Sequence, residues 1–192
     1  FAFGLSSLTW SQSVLRLPEG NVTTKTVSVK DLQLKIGELN RSIGRYPPLV
    51  SSESDRMRVY EDWANAIRGG RALQEKTPES EDLFAALADL YRQGHNLDVA
   101  GAGEEADRQL QKCLKLFPNS LSCHRVAGYF YLAIHPSFAP KGEFSLRRLK
   151  VLLAPKVDSE VERGLAFAQV YQGKKAEAIK QIDYYLTIQP DD

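Results

Sequence analysis

Two cysteines and three histidines are the side chains of this sequence best suited to covalent or metal chemistry. Cys113 and Cys123 lie ten positions apart and flank Pro118-Asn119, one near the end of an expected helix and the other near the start of the next. Antiparallel helices meet at such a corner, and a disulfide forms there if the Cα atoms approach within about 7 Å. A bridge would belong to an oxidising compartment. The alternative is two buried thiols packing as small apolar groups. His124 and His135 would have to complete any zinc site, and their spacing from the cysteines fits no established ligand pattern. Cys123 and His124 are neighbours on one helix, where adjacent side chains diverge by about 100°, so they make a poor nucleophile–base pair. Glu104-Glu105 and Glu160/Glu162 read as acids at helix starts. The chain has no P-loop, no Gly-x-Ser-x-Gly elbow and no His-Glu-x-x-His. The expectation is a protein without catalytic residues, metal or cofactor.

Composition narrows the class of partner. The 192 residues carry a formal net charge of +1, which excludes a strongly basic nucleic-acid binder as the first reading. No apolar run reaches the length of a membrane span, so a membrane would be reached only through a preceding anchor. The neutrality conceals polarity along the chain. Residues 51–110 hold seven basic and thirteen acidic side chains, whereas residues 111–155 hold seven basic and one acidic. The positive block includes Lys112, Lys115, Lys141, Arg147, Arg148 and Lys150. It suits either an acidic partner or anionic surface, or the stacking of neighbouring units of opposite sign.

The elements that position these residues are helical. Leu32, Ile36, Leu39 and Ile43 recur at the spacing of one helix face, and Pro47-Pro48 ends that segment. Ser52 or Ser54 can cap a second helix through Met57, Tyr60, Ala64 and Ile67, which Gly69-Gly70 would weaken or bend. Leu83, Leu87, Leu90 and Tyr91 follow, with Gly94 closing the helix and a long connection from His95 to Gly103. Later helices are expected from Glu104 to Phe117, from Leu121 to Ile134, around Phe144, Leu149 and Leu152, and in a final pair through Val161 and Ile182. Between the helix ending at Ile134 and the one around Phe144, two prolines predict a second long loop over residues 135–142. Residues 1–30 differ. Val14 to Leu17 and Val22 to Val29 read as two short strands, or as an extended arm that must dock on the helical body.

Five prolines close helices, Pro47, Pro78, Pro118, Pro155 and Pro190, at intervals of 31, 40, 37 and 35 residues. Internal periods of that size mark stacked helix-turn-helix repeats. The stretch from Gly173 through Ala178 and Tyr185 to Pro190 resembles the second half of a tetratricopeptide repeat, and Leu87 to Pro118 and Leu121 to Pro155 look like two further copies. Lys150 departs from the pattern, standing where the family prefers a small residue. The resemblance covers residues 80–192 as three repeats, preceded by a divergent helical pair at 31–79 and the arm at 1–30. It implies an all-α fold of stacked antiparallel helix pairs, a solenoid whose first helices line a concave face.

That resemblance further implies a non-catalytic scaffold that binds a peptide or partner protein. On the family pattern the concave face would present Phe84, Ala88, Tyr91 and Arg92 from one unit, Arg125, Tyr129 and Leu132 from the next, and Arg163, Phe167, Val170 and Tyr171 from the last. Aromatic and arginine side chains are common binding hot spots. The family's carboxylate clamp, a Lys or Arg followed four residues later by Asn, is not expected. Only Arg92 and Asn96 have that spacing, and Asn96 falls in the expected loop. The competing reading is a structural module for self-association, a homo-oligomer or membrane-complex part with no peptide groove. The apolar opening segment Phe1 to Trp10 reads either as the remnant of a signal peptide or anchor, or as part of the arm. With a disulfide, the first reading places the protein in the periplasm or tethered in a bacterial envelope; the cytoplasm is the alternative.

Overall fold

In a computed structural model, residues 14–20 and 27–191 are described. They form eight α-helices and no strand. The helices are α1 (Val29–Ile43), α2 (Glu53–Lys76), α3 (Glu81–Asn96), α4 (Ala102–Leu116), α5 (Leu121–Ile134), α6 (Ala139–Leu153), α7 (Ser159–Tyr171) and α8 (Lys175–Ile188).

Short polar side chains set the starts. Ser28, Ser52, Ser80 and Ser120 each accept a backbone N–H from the first turn of the helix that follows, and Asp158 does so for α7. Each such cap is worth about 1 kcal/mol against alanine. At the other ends, Pro78, Pro118, Pro155 and Pro190 follow the last helical residue by two positions. The same capping and stopping signals therefore recur around each unit. Helices neighbouring in sequence pack as pairs, α3 with α4, α5 with α6 and α7 with α8, while α1 and α2 both pack against α3.

The core follows the apolar stripes. Leu32, Ile36, Leu39 and Ile43 are all buried, and Trp63, Ile67, Leu83, Leu87, Leu90 and Leu110 are sealed from solvent. Gly94 does not close α3 but lies within it. A Cβ there would stand 2.3 Å from Cζ2 of Trp63, so this glycine is the seat of the indole, whose Nε1 donates to the Leu90 carbonyl at 2.6 Å. Gly69-Gly70 likewise lie in an unbroken α2, where they admit Val27 and Leu87 closely.

Two expected loops are shorter than the sequence suggests. The connection after α3 spans only residues 97–101. Residues 135–142 are mostly helical: Pro136 opens a 3₁₀ turn (Pro136–Phe138), and Pro140 sits in the first turn of α6. A proline there forfeits no hydrogen bond, because first-turn N–H groups have no helical partner. In α6 only some of the marking apolar residues are buried. Leu146 and Leu149 are buried and Phe144 is 66% exposed. Leu146 reaches into the space left by Gly128 on α5 and Gly164 on α7.

The described part of the arm, residues 14–20, docks on the helical body. Leu15 is buried, its carbonyl accepts the Ala100 N–H at 3.0 Å, and Arg16 makes one isolated bridge with Ala100. Arg71 donates to the Pro18 carbonyl and to the Tyr91 hydroxyl, both at 2.8 Å, clamping arm to core. Of the second expected strand, residues 22–26 lie outside the described residues and Val29 is helical.

Candidate interaction groove

The N-terminal helices of the pairs, together with α1, border one groove of about 800 Å³. From α5 it is lined by Arg125, Val126, Tyr129, Leu132 and Ala133. From α7 it receives Arg163, Gly164, Phe167 and Tyr171. These two sets share one register: an arginine on the second turn, an aromatic ring four residues on, and apolar side chains one turn beyond. The C-terminal end of α3 contributes Asp89, Arg92 and Asn96, and the end of α1 contributes Asn40, Gly44, Arg45 and Tyr46.

Side-chain amides hold α1 parallel to α3 and shape this end of the groove. Gln93 donates to the Ile36 carbonyl at 2.9 Å and to Asn40 Oδ1 at 2.8 Å, and Asn96 donates to the Ile43 carbonyl at 3.1 Å. Arg92 donates to Asp89, to the Gly44 carbonyl and to Asn40. Asn96 is therefore the last residue of α3 and not part of a loop. It still makes no carboxylate clamp with Arg92, because both side chains are consumed in bracing α1.

The aromatic surface is open. Tyr46 is 67% exposed, Phe167 51% and Tyr171 45%, with the Phe167 and Tyr171 rings 6.4 Å apart. The Tyr129 hydroxyl is buried with no hydrogen-bond partner. Its pKa is pushed up to about 12, chiefly by burial and then by Glu160. Arg125 pairs with Asp158 at 2.8 Å and Arg163 with Glu160 at 2.6 Å, yet both guanidinium side chains keep about two fifths of their surface in solvent.

Seven of the eleven residues expected on a concave face line this groove: Arg92, Arg125, Tyr129, Leu132, Arg163, Phe167 and Tyr171. Phe84, Ala88, Tyr91 and Val170 do not. Phe84, Ala88 and Tyr91 are buried, Phe84 beside Cys113 and Cys123 and Tyr91 under the Arg71 guanidinium, while Val170 is exposed outside the groove. Placing Tyr91 on the groove side was an error of helix phase, since Arg92 next to it faces the other way. Arg45 and Tyr46 escaped the sequence reading because residues before Pro47-Pro48 signal only a helix stop.

The cysteines are bonded. Cys113 and Cys123 join α4 to α5 across the Pro118 turn with Cα atoms 6.4 Å apart. Thiolate ligation is therefore closed to them, and the described residues contain no cluster of three or more metal-ligating side chains.

The basic block is not one open patch. Lys150 pairs with Glu162 at 2.8 Å, Arg147 with Glu143, and Lys141 with Asp107 at 3.8 Å while lying over the Tyr131 and Phe138 rings. Arg148 donates to Asn119. Lys112 stands apart on α4, beside a second cavity with Phe84 and Leu116, and Lys115 is near the end of the same helix. Lys150 thus ties α6 to α7, and Lys141 ties α6 to α4. Glu162 is no mere helix-start acid: it is buried, and it also accepts from Gln181 at 2.7 Å.

Compared with known proteins, the chain matches no family model, no curated protein and no solved structure.

Proposed function

We propose that the protein is a non-catalytic interaction scaffold built as a tetratricopeptide-like solenoid, holding a peptide or a partner protein in the groove of α1, α3, α5 and α7. The observation that carries this reading is the open strip of Tyr46, Phe167 and Tyr171 beside exposed arginines on helices that share one register. A large apolar surface rimmed by charge is how binding sites differ from ordinary surface. The disulfide favours an exported protein, periplasmic or envelope-tethered, because such bonds persist in oxidising compartments. No described helix is long and apolar enough to cross a membrane.

The test is partner recovery from an extract of the producing cell by the wild type and by the double variant Arg125→Ala/Phe167→Ala. Loss of a defined partner with the variant, at unchanged thermal stability, is expected; equal recovery removes the groove as the binding site.

A second reading, self-association, has its own support on α8. There Ile179, Ile182 and Leu186 are 50%, 38% and 39% exposed and fall on one helical face. An apolar stripe of this kind can pack against a second copy of the chain.

A further inference from the structure

We infer that the outward face of α6 is a peripheral docking surface for an anionic lipid bilayer, separate from the groove. Phe144, Arg147, Arg148 and Val151 recur at i, i+3, i+4 and i+7, the spacing of one helix face. Phe144 is 66% exposed and Val151 63%, so two apolar side chains stand in solvent two turns apart with arginines between them. This face abuts the turn between α4 and α5. Arg148 donates to Asn119 in that turn, and the Phe144 ring lies 6.4 Å from that of His124, whose Nε2 meets the Pro118 carbonyl. Lys115 precedes Asn119 by four residues and Lys112 by seven, and both are exposed on α4.

Pairing within the fold leaves this region positive. Glu143 is the one acid in residues 111–155. It is buried and takes two cations, Arg147 and Lys174, so one positive charge there stays uncompensated. Lys141, Lys150 and Arg125 are matched by Asp107, Glu162 and Asp158. Lys112, Lys115 and Arg148 form no ion pair among the described residues.

An apolar ridge flanked by cations is the arrangement of helices that lie in a membrane–water interface. Rings and aliphatic groups enter the acyl boundary while the cations meet phosphate headgroups. Each cation near an anionic surface contributes about 1 kcal/mol. A rigid acidic protein would need a pocket shaped for Phe144, whereas a bilayer admits any protruding apolar group, which favours lipid.

Flotation of the full chain with lipid vesicles tests the assignment. Binding is expected to vesicles of phosphatidylcholine with about 30% phosphatidylglycerol, to fade at high salt, and to be absent from phosphatidylcholine alone. Lys115→Gln/Arg148→Gln should weaken it about tenfold at unchanged melting temperature, while the groove variant Phe167→Glu should float like wild type. A polarity-sensitive dye on Phe144→Cys should shift to the blue on the anionic vesicles, and the same dye on Phe167→Cys should not. No flotation with anionic vesicles, equal flotation with neutral ones, or an unshifted dye at position 144 would overturn the assignment. Retention on immobilised polyaspartate without vesicle binding would replace the bilayer with an acidic protein surface. Either result leaves the groove reading standing, since no α6 residue lines the groove.

Discussion

The indole of Trp63 on α2 rests where a side chain on Gly94 of α3 would stand, at 2.3 Å from the nearest ring carbon. Gly94→Ala gains about 1 kcal/mol of helix propensity. Overpacking a sealed core costs about 1–3 kcal/mol, and the rigid ring, held by its bond to the Leu90 carbonyl, can yield little. A net loss of about 1–2 kcal/mol is expected. Gly37→Ala on the exposed face of α1, where an added Cβ meets nothing within 4 Å, should instead stabilise by about 0.5–1 kcal/mol. Urea denaturation of the two variants checks both signs.

The Cys113–Cys123 bridge closes a short loop between α4 and α5. Chain-entropy reasoning assigns such a loop about 2–3 kcal/mol. The double variant Cys113→Ala/Cys123→Ala should lose about that much, and thiol titration of unreduced, denatured protein should find no free thiol. Two titratable thiols would contradict the bond.

Stability should fall on acidification in two stages. His124 is buried, and its Nε2 lies 3.0 Å from the Pro118 carbonyl, which can only accept. The ring proton is therefore on Nε2, and Nδ1 is buried without a partner. Burial first, and Arg148 after it, hold the imidazole below its usual range against the opposing Pro118 bond. Its stabilising contribution is complete above the unfolded value of about 6.5 and is lost as pH falls below it. Glu143 behaves likewise at lower pH. Burial opposes its ionisation, but hydrogen bonds from Lys174, Gln172 and Arg147 outweigh that cost and hold it at about 2. Its contribution, about 2–3 kcal/mol, is present above the unfolded carboxylate range and fades between about pH 5 and 2. Glu143→Gln should be less stable than wild type at pH 6, with the gap closing by pH 2.5 in denaturation curves.

Lys150 bridges to the buried Glu162 and lies 5.1 Å from the Tyr184 ring centre. Lys150→Ala leaves that carboxylate with fewer donors and should cost about 1–3 kcal/mol. Lys115→Ala, in the same basic block but without such a partner, should stay within about 0.5 kcal/mol. Equal effects on melting would show that the block does not act by tying helices together.

Much of the helical framework was legible before any coordinates. Ser52, read with Ser54 as a candidate cap, announces the start of α2 because a short hydroxyl satisfies orphan N–H groups, and the prolines announce ends; the caps at Ser28, Ser80 and Ser120 use the same signal and were not read. The α1 stripe was also readable, as were the groove residues on α5 and α7. Misreadings came from residue types with two physical uses. Gly94 looked like a turn and is a seat for a ring; Pro140 looked like a break and is a first-turn residue. Of the residues that marked α6, Leu149 is buried and Phe144 is exposed, and Leu146, which the reading passed over, is the second buried leucine. Glu162 looked like a cap acid, and only the approach of α6 and α8 makes it a buried ion-pair partner. The exposed Tyr46 depends on where α1 ends against α3, a tertiary relation with no local signal.

Site-specific photo-crosslinking tests the central claim most directly. A benzophenone side chain placed at Phe167, on the groove wall, should capture the protein's partner in the cell that makes it. The same probe at Phe144, which is 66% exposed on α6 and outside the groove, should not. Capture from position 144 and not from 167 would contradict the account.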